Sequence, residues 1–383
     1  ALVELVTAAR GVTAIVATRD TVRAVALPGL GDAPTLAARV SVFRALVQQA
    51  RTDDELRAPA RALHDDLLAP VRALAPAAHT LIVSPDGPLH DLPFDALLGP
   101  DGFVVDALDV ALTPSGALLA RGGADDAPAA DADAGALVVA VTRDVRGQGA
   151  LPAALTEAAA VRRVLGGDVT VLAEADATEA RLSALPIDRF AVLHFASHAR
   201  LDAAMPLRSA LVLEPGDGED GWWRAEEIYG QRLRADLVVL SACSTALGAP
   251  AGGEGAMSLA RAFLHAGAGA TVATLWDVDD SHGPTFADEL YQRAARGAGV
   301  TTAVADARRA LRRRGAPPRA WAAYVVTGRP GRRAAVVAAA PAPAPSRGRS
   351  AAGRWLALAV GLAGVAGLVI ALRWRRAPAS RIR

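Results

Sequence analysis

Two residues have types and surroundings suited to nucleophilic catalysis. His198 closes the apolar run FAVLHFASH, and Cys243 closes ADLVVLSAC. Both runs are short and apolar, which predicts strands. In an open parallel sheet the reactive crevice lies outside the carboxyl ends of the strands. If these two strands are neighbours, an imidazole and a thiol meet at one sheet edge, as a Cys-His nucleophile pair requires. A free thiol with a pKa of about 8.5 is mostly protonated at neutral pH, so the base must come within about 3 to 4 Å to hold it as thiolate. Cys243 by itself reads more readily as a small buried hydrophobe than as a nucleophile. Its joint placement with His198 is what favours a nucleophile.

Other groups offer weaker chemistry. His194 and His198 are spaced as two metal ligands could be, but no Glu follows His194 and no third ligand is apparent, so no metal is expected. His194 is expected inside its strand as a packed, hydrogen-bonded side chain. Asp277, Asp279 and Asp280 follow a strand at the same sheet edge, where they could bind a basic substrate side chain or cap a helix. Arg308, Arg309 and Arg312 to Arg314 read as the solvated face of a short helix rather than a nucleic-acid patch. The GAG at Gly267 to Gly269 lies between a helix and the next strand, the wrong order for dinucleotide binding, and no GxSxG occurs.

Composition narrows the field further. All 41 basic residues are Arg, so no P-loop Lys, kinase strand Lys, Schiff-base Lys or Ser-Lys dyad exists, and no cofactor is expected. A formal net charge of +1 disfavours nucleic acid as a partner. A single Cys cannot form an internal disulfide or a Cys-based zinc site and points to a reducing compartment.

The elements that must position these groups can be read from periodicity. A length of 383 residues suggests two to three domains. Residues 1–120 read as an α/β half, with strands over Val12–Ala17, Val22–Leu27 and Thr80–Ser84 and helical patterning from Leu36 to Leu74. An acidic, Gly- and Pro-containing loop covers 121–135. Residues 136–328 alternate apolar runs with helix-length spacers. Strands are expected over Ala136–Val141, Val169–Leu172, Phe190–Phe195, Leu237–Ser241, Thr271–Leu275 and Trp321–Val326, with a helix over Glu254–His265. Runs without polar alternation argue a mostly parallel α/β sheet flanked by helices on both faces.

A Pro/Ala/Arg linker is expected at 329–353. The uncharged run of 18 residues from Trp355 to Leu372 then predicts a transmembrane helix with Arg flanks over 354–376, followed by a tail at 377–383. The arginine count around the span favours a cytoplasmic tail. The unpaired Cys and the lack of a secretory signal favour a cytoplasmic catalytic domain, which is the orientation expected here for a single-pass membrane protein.

The separation of 45 residues between His198 and Cys243 is similar to the roughly 50 of the caspase signature. At these residues the sequence resembles the CHAT domains, caspase-like and separase-related cysteine peptidases often found behind tetratricopeptide repeats. The resemblance is carried by LHFASHA, ADLVVLSACSTALG, GGEGAMSLARAFLHAGAGATVATLWDVDD and WAAYVVTG. In the first half, LIVSPDGPLHDLPFDAL, TPS and DATEARL extend it.

The resemblance implies a caspase-like fold with an N-terminal pseudo-caspase-like half, and a cysteine endopeptidase with His198 as base and Cys243 as nucleophile. It implies a protein or peptide substrate and an upstream or separate tetratricopeptide-repeat regulator. Ala199 stands where the family usually has Gly. Its amide and that of Cys243 can donate to an oxyanion, although the methyl narrows the backbone angles that Gly allows. The alternative is a catalytically silent, membrane-tethered scaffold that binds protein partners.

Overall fold

An antiparallel meander opens the chain: β1 (Leu2–Ala8), β2 (Gly11–Ala17) and β3 (Val22–Leu27). Period-two alternation gives β1 and β2 one buried face, with Val3, Leu5, Val12, Ala14 and Val16 inside and Val6 and Ile15 outside. The helical patterning from Leu36 to Leu74 resolves into α1 (Ala33–Gln49), α2 (Arg57–Leu63) and α3 (Ala69–Leu74). A 3-10 turn at Asp53–Leu56 and a π-turn at His64–Leu68 interrupt it. Asp32 fixes the start of α1 by accepting the Thr35 amide at 3.0 Å. Next come β4 (Thr80–Ser84), the hairpin β5 (Leu98–Gly99) and β6 (Gly102–Phe103), α4 (Val104–Ala107), β7 (Asp109–Leu112) and α5 (Gly116–Arg121).

The second half begins with β8 (Ala136–Ala140), α6 (Ala154–Leu165), β9 (Val169–Ala173), α7 (Glu179–Ser183) and β10 (Val192–Ala196). A small antiparallel sheet follows, made of β11 (Ala199–Arg200), β12 (Ala210–Val212) and β13 (Trp222–Arg224). Then come α8 (Ala225–Tyr229), β14 (Leu237–Ser241), β15 (Ala249–Pro250), β16 (Ala256–Met257), α9 (Leu259–Ala266), β17 (Ala270–Thr274), α10 (Gly283–Ala295), α11 (Val300–Arg313), α12 (Pro318–Trp321) and β18 (Tyr324–Gly328). The helix expected over Glu254–His265 begins only at Leu259, because Ala256 and Met257 pair with β15 instead. Trp321 likewise ends a short helix started by Pro318 rather than opening a strand.

This computed structural model describes residues 1–121, 134–143, 146–166, 168–202, 204–241, 249–250, 256–257, 259–329, 331 and 333–334. Cys243, most of the linker, the predicted span at 354–376 and the tail lie outside the described residues. No helix among the described residues is long and apolar enough to cross a membrane.

One mixed α/β sheet joins the two halves in the order β3-β2-β1-β4-β7-β18-β17-β14-β10-β8-β9. Only β3–β2, β2–β1 and β18–β17 pair antiparallel, so the sheet is mostly parallel. Strands β8, β10 and β17 are buried at every position, as expected where helices cover both faces. On one face Val138, Val192 and Val239 pack under α6, α10 and α11. On the other, Val139, Phe195 and Leu240 pack against Trp223, Ile228 and the α9 residue Phe263.

The arginines of α11 correct the solvated-face reading. Arg308 is fully buried and ion-paired with Asp95. Arg309 binds Asp109 at 2.8 Å and the Val105 carbonyl at 2.6 Å, and Arg312 reaches Asp53 at 2.8 Å and Asp106 at 2.6 Å. The cause is long-range: all four carboxylates come from the first half, so the helix face that looks polar in sequence bolts the two halves together. Only Arg313 and Arg314 match the exposed reading, with Arg314 paired to Glu289.

Candidate active site

Strands β10 and β14 are adjacent and parallel, in a register that sets Ala196 opposite Ser241. His198 therefore follows a paired position by two residues, and in sequence Cys243 follows its own partner by the same two. His198 is buried, 6% exposed, and its Nε2 lies 2.7 Å from the Gly149 carbonyl oxygen. A carbonyl can only accept, so Nε2 carries the proton and Nδ1 of the neutral ring keeps the lone pair. Gly149 holds φ at +94°, a region that favours glycine and lets this carbonyl face the ring. Nothing in the sequence singles out Gly149, since a backbone oxygen has no side-chain signature.

Ala199 begins β11 and faces Leu211 of β12. The Val212 amide donates to the His198 carbonyl at 2.9 Å. That contact makes His198 and Val212 the bonded pair of the ladder, so the Ala199 N–H points away from β12. The Ala199 backbone is ordinary β-strand, with φ outside the positive range, so the glycine usual in the family is not needed for its φ.

A small cleft open to solvent lies at this edge and is lined by Glu157, Ser197, Ser241, Asp279, Asp280 and Tyr324 among others. Asp277 is exposed and does not line it. Asp279 caps the turn after β17, accepting the Ser281 amide at 3.0 Å and its hydroxyl at 2.5 Å, bonds that hold its carboxyl below the usual range. Asp280 accepts the Ala153 amide at 2.6 Å and so ties the start of α6 to the cleft. Burial pushes the Asp280 carboxyl up and Glu157 adds to this, while His198 pulls it down.

Glu157 went unnoticed in sequence because it sits in the Ala-rich helical stretch ALTEAAAV and looks like a solvent-facing helix residue. It is 2% exposed. Its Oε2 accepts the Ser241 hydroxyl at 3.1 Å, and its Oε1 stands 3.0 Å from His194 Nε2. His194 is fully buried and meets the Tyr291 hydroxyl at 2.9 Å through Nδ1, so both of its ring nitrogens face groups of α6 and α10 rather than the cleft. Burial raises the Tyr291 phenol far above its ordinary range, and the Glu157 charge adds to this.

A family model for the CHAT domain matches residues 57–329, well over half of the chain. No curated protein matches it. Among solved structures, the chain is similar to separase in the Saccharomyces cerevisiae separase–securin complex, with 19% identity and a TM-score of 0.46, covering 70% of this chain and 17% of that one. It is also similar to the Arg-specific cysteine proteinase gingipain R, with 10% identity and a TM-score of 0.48, covering 78% of this chain and 74% of that one. The Porphyromonas gingivalis RgpB complex of pro- and mature domains gives 10% identity and a TM-score of 0.46, covering 79% and 78%. The chain thus spans under a fifth of the separase chain it resembles. With its family model matched from the second helix to the last strand, the chain belongs to the CHAT domain family.

Proposed function

We propose that the chain is a CHAT-type cysteine endopeptidase with a caspase-like catalytic half, in which Cys243 is the nucleophile and His198 the base. The observation that carries this reading is the parallel register of β10 and β14, with Ala196 opposite Ser241 two residues before each candidate. In the proposed mechanism, His198 Nδ1 takes the proton from Cys243 Sγ and the thiolate attacks the peptide carbonyl carbon. The Ala199 and Cys243 amides donate to the oxyanion, and the imidazolium gives its proton to the leaving nitrogen as the C–N bond breaks. Water, deprotonated by Nδ1, then attacks the thioester, and the thiolate leaves.

The carboxylates of Glu157, Asp279 and Asp280 around the cleft suit a basic substrate side chain, with Asp277 on the same loop. We further propose that 354–376 anchors the chain in a membrane with the catalytic half in the cytoplasm, and that a tetratricopeptide-repeat partner regulates it. The mechanism is tested by Cys243→Ala and His198→Ala, each expected to abolish cleavage of basic peptides without changing the melting temperature. Undiminished turnover in either variant sinks it, and an inert Cys243 leaves a partner-binding scaffold.

A further inference from the structure

The loop after β17, LWDVDD at Leu275 to Asp280, runs along the wall of the acidic cleft. Val278, Asp279 and Asp280 line that wall, so the place of the loop decides where its two carboxylates stand. Its far end is held from within the second half, where Asp280 accepts the Ala153 amide at 2.6 Å. At its near end the Leu275 amide donates to the Ala323 carbonyl at 2.9 Å, and the Trp276 indole N–H donates to the Arg319 carbonyl at 2.7 Å. The Leu275 carbonyl takes its partner from the first half of the chain: Nη2 of Arg44 donates to it at 3.0 Å.

Arg44 lies on α1, 231 residues before its partner. It falls between Val40 and Val47 on the helix face that both bury, and is itself half-buried. Helix α1 packs against α12, which carries the Arg319 carbonyl, so Leu275 and Trp276 are held from two neighbouring helices. A guanidinium N–H on a carbonyl is charge-assisted and stronger than a neutral pair. The charge of Arg44 is offset by Asp91, whose carboxyl burial pushes up and Arg44 draws down. Its Nε is buried and has no hydrogen-bond partner among the described residues. An unbonded buried donor costs stability, so an arginine is a poor choice here for packing alone. The bond that it does make goes to the loop of the cleft.

We infer that Arg44 is a positioning residue: by holding the Leu275 carbonyl it fixes the 275–280 loop, and with it the carboxylates of Asp279 and Asp280 that select a basic side chain of the substrate. The inference rests on the peptidase reading and gives the first half of the chain a part in substrate choice. Arg44 touches no substrate atom and acts only through the loop. Small displacements of a preorganised site cost binding and rate steeply, so one anchor at the start of the loop is enough to matter.

The test uses the full chain and quenched fluorescent peptides that differ in one central residue, Arg or its neutral isostere citrulline. The unmodified chain should favour the Arg peptide in kcat/KM. Arg44→Ala should cut that preference about tenfold, with KM rising for the Arg peptide and the citrulline peptide handled nearly as before. Arg44→Lys, whose ammonium can still donate to the Leu275 carbonyl, should keep the preference within about twofold. Arg39→Ala removes an ion pair of the same helix, to Asp66, and should leave the preference unchanged. Arg44→Met, close in length and apolar, takes the place of Arg44→Ala if that variant does not fold. A loss equal for both peptides, or a preference that survives, overturns the role of Arg44 and leaves the peptidase intact. The labelled peptides are also titrated by anisotropy onto the Cys243→Ala chain, where they stay uncut. An Arg preference there that is lost on adding Arg44→Ala supports the inference even if the unmodified chain cleaves neither peptide, and one that persists overturns it. Equal affinity of the Cys243→Ala chain for both peptides overturns it together with the acidic-cleft reading.

Discussion

The Nε2–H of His198 donates to the carbonyl oxygen of Gly149 at 2.7 Å, which holds the ring in one tautomer and leaves Nδ1 as its only basic atom. The ring is thus oriented by backbone from the loop after β8, and among the described residues no carboxylate is hydrogen-bonded to it.

This dependence predicts the effect of Gly149→Ala. No atom lies within 4 Å of the added methyl, but φ of +94° is strained for any residue with a Cβ. The loop should relax and move its carbonyl off the imidazole. We expect kcat for peptide cleavage to fall about tenfold, equivalent to roughly 1.4 kcal/mol, with the melting temperature nearly unchanged. An unaltered kcat would show that the carbonyl does not orient the base.

Arg308 tests the junction between halves. Removing one partner of a buried ion pair leaves the other charge uncompensated, typically at about 3 to 5 kcal/mol. Burial already pushes the Asp95 carboxyl upward against the pull of Arg308. Arg308→Ala should therefore lower the unfolding free energy in urea by about 3 kcal/mol or more, whereas exposed Arg313→Ala should stay within about 0.5 kcal/mol. Equal, small effects would mean that α11 does not join the halves.

Much of this was legible in the sequence, and the failures have physical causes. Leu237–Ser241 occurs as expected because a strand buried on both faces leaves an uninterrupted apolar run, and Thr80–Ser84 occurs as expected although Thr80 and Ile82 are only half-buried. Strand β7 and the small sheet were missed because they are short, and DVAL or WWR has no room to show a period. Burial of Arg308 depends on Asp95, more than two hundred residues away, which local polarity cannot reveal. His198 lies two residues past the end of β10, where its strand-end reading puts it, while Glu157 and Gly149 are hidden in a helical pattern and a backbone carbonyl, and Cys243 lies outside the described residues.

Glu179 on α7 gives a pH signature. It is 5% exposed, and burial first, then the Glu227 and Glu219 charges, push its carboxyl from 4.5 up to about 7. The folded chain therefore binds this proton more tightly than the unfolded chain. Its contribution is fully present below the unfolded value and is lost as pH rises through the folded one. The melting temperature of the unmodified chain should fall relative to Glu179→Gln as pH rises from about 5 to about 8. Parallel curves for the two proteins would contradict a raised Glu179 carboxyl.

The pairing of His198 with Cys243 is read from the pH dependence of thiol alkylation. Because the chain has one Cys, a mass shift with iodoacetamide reports that residue alone. The alkylation rate of the unmodified chain should reach half-maximum well below the free-thiol value of about 8.5, and His198→Ala should return the midpoint to about 8.5. A midpoint near that value in both proteins would contradict it.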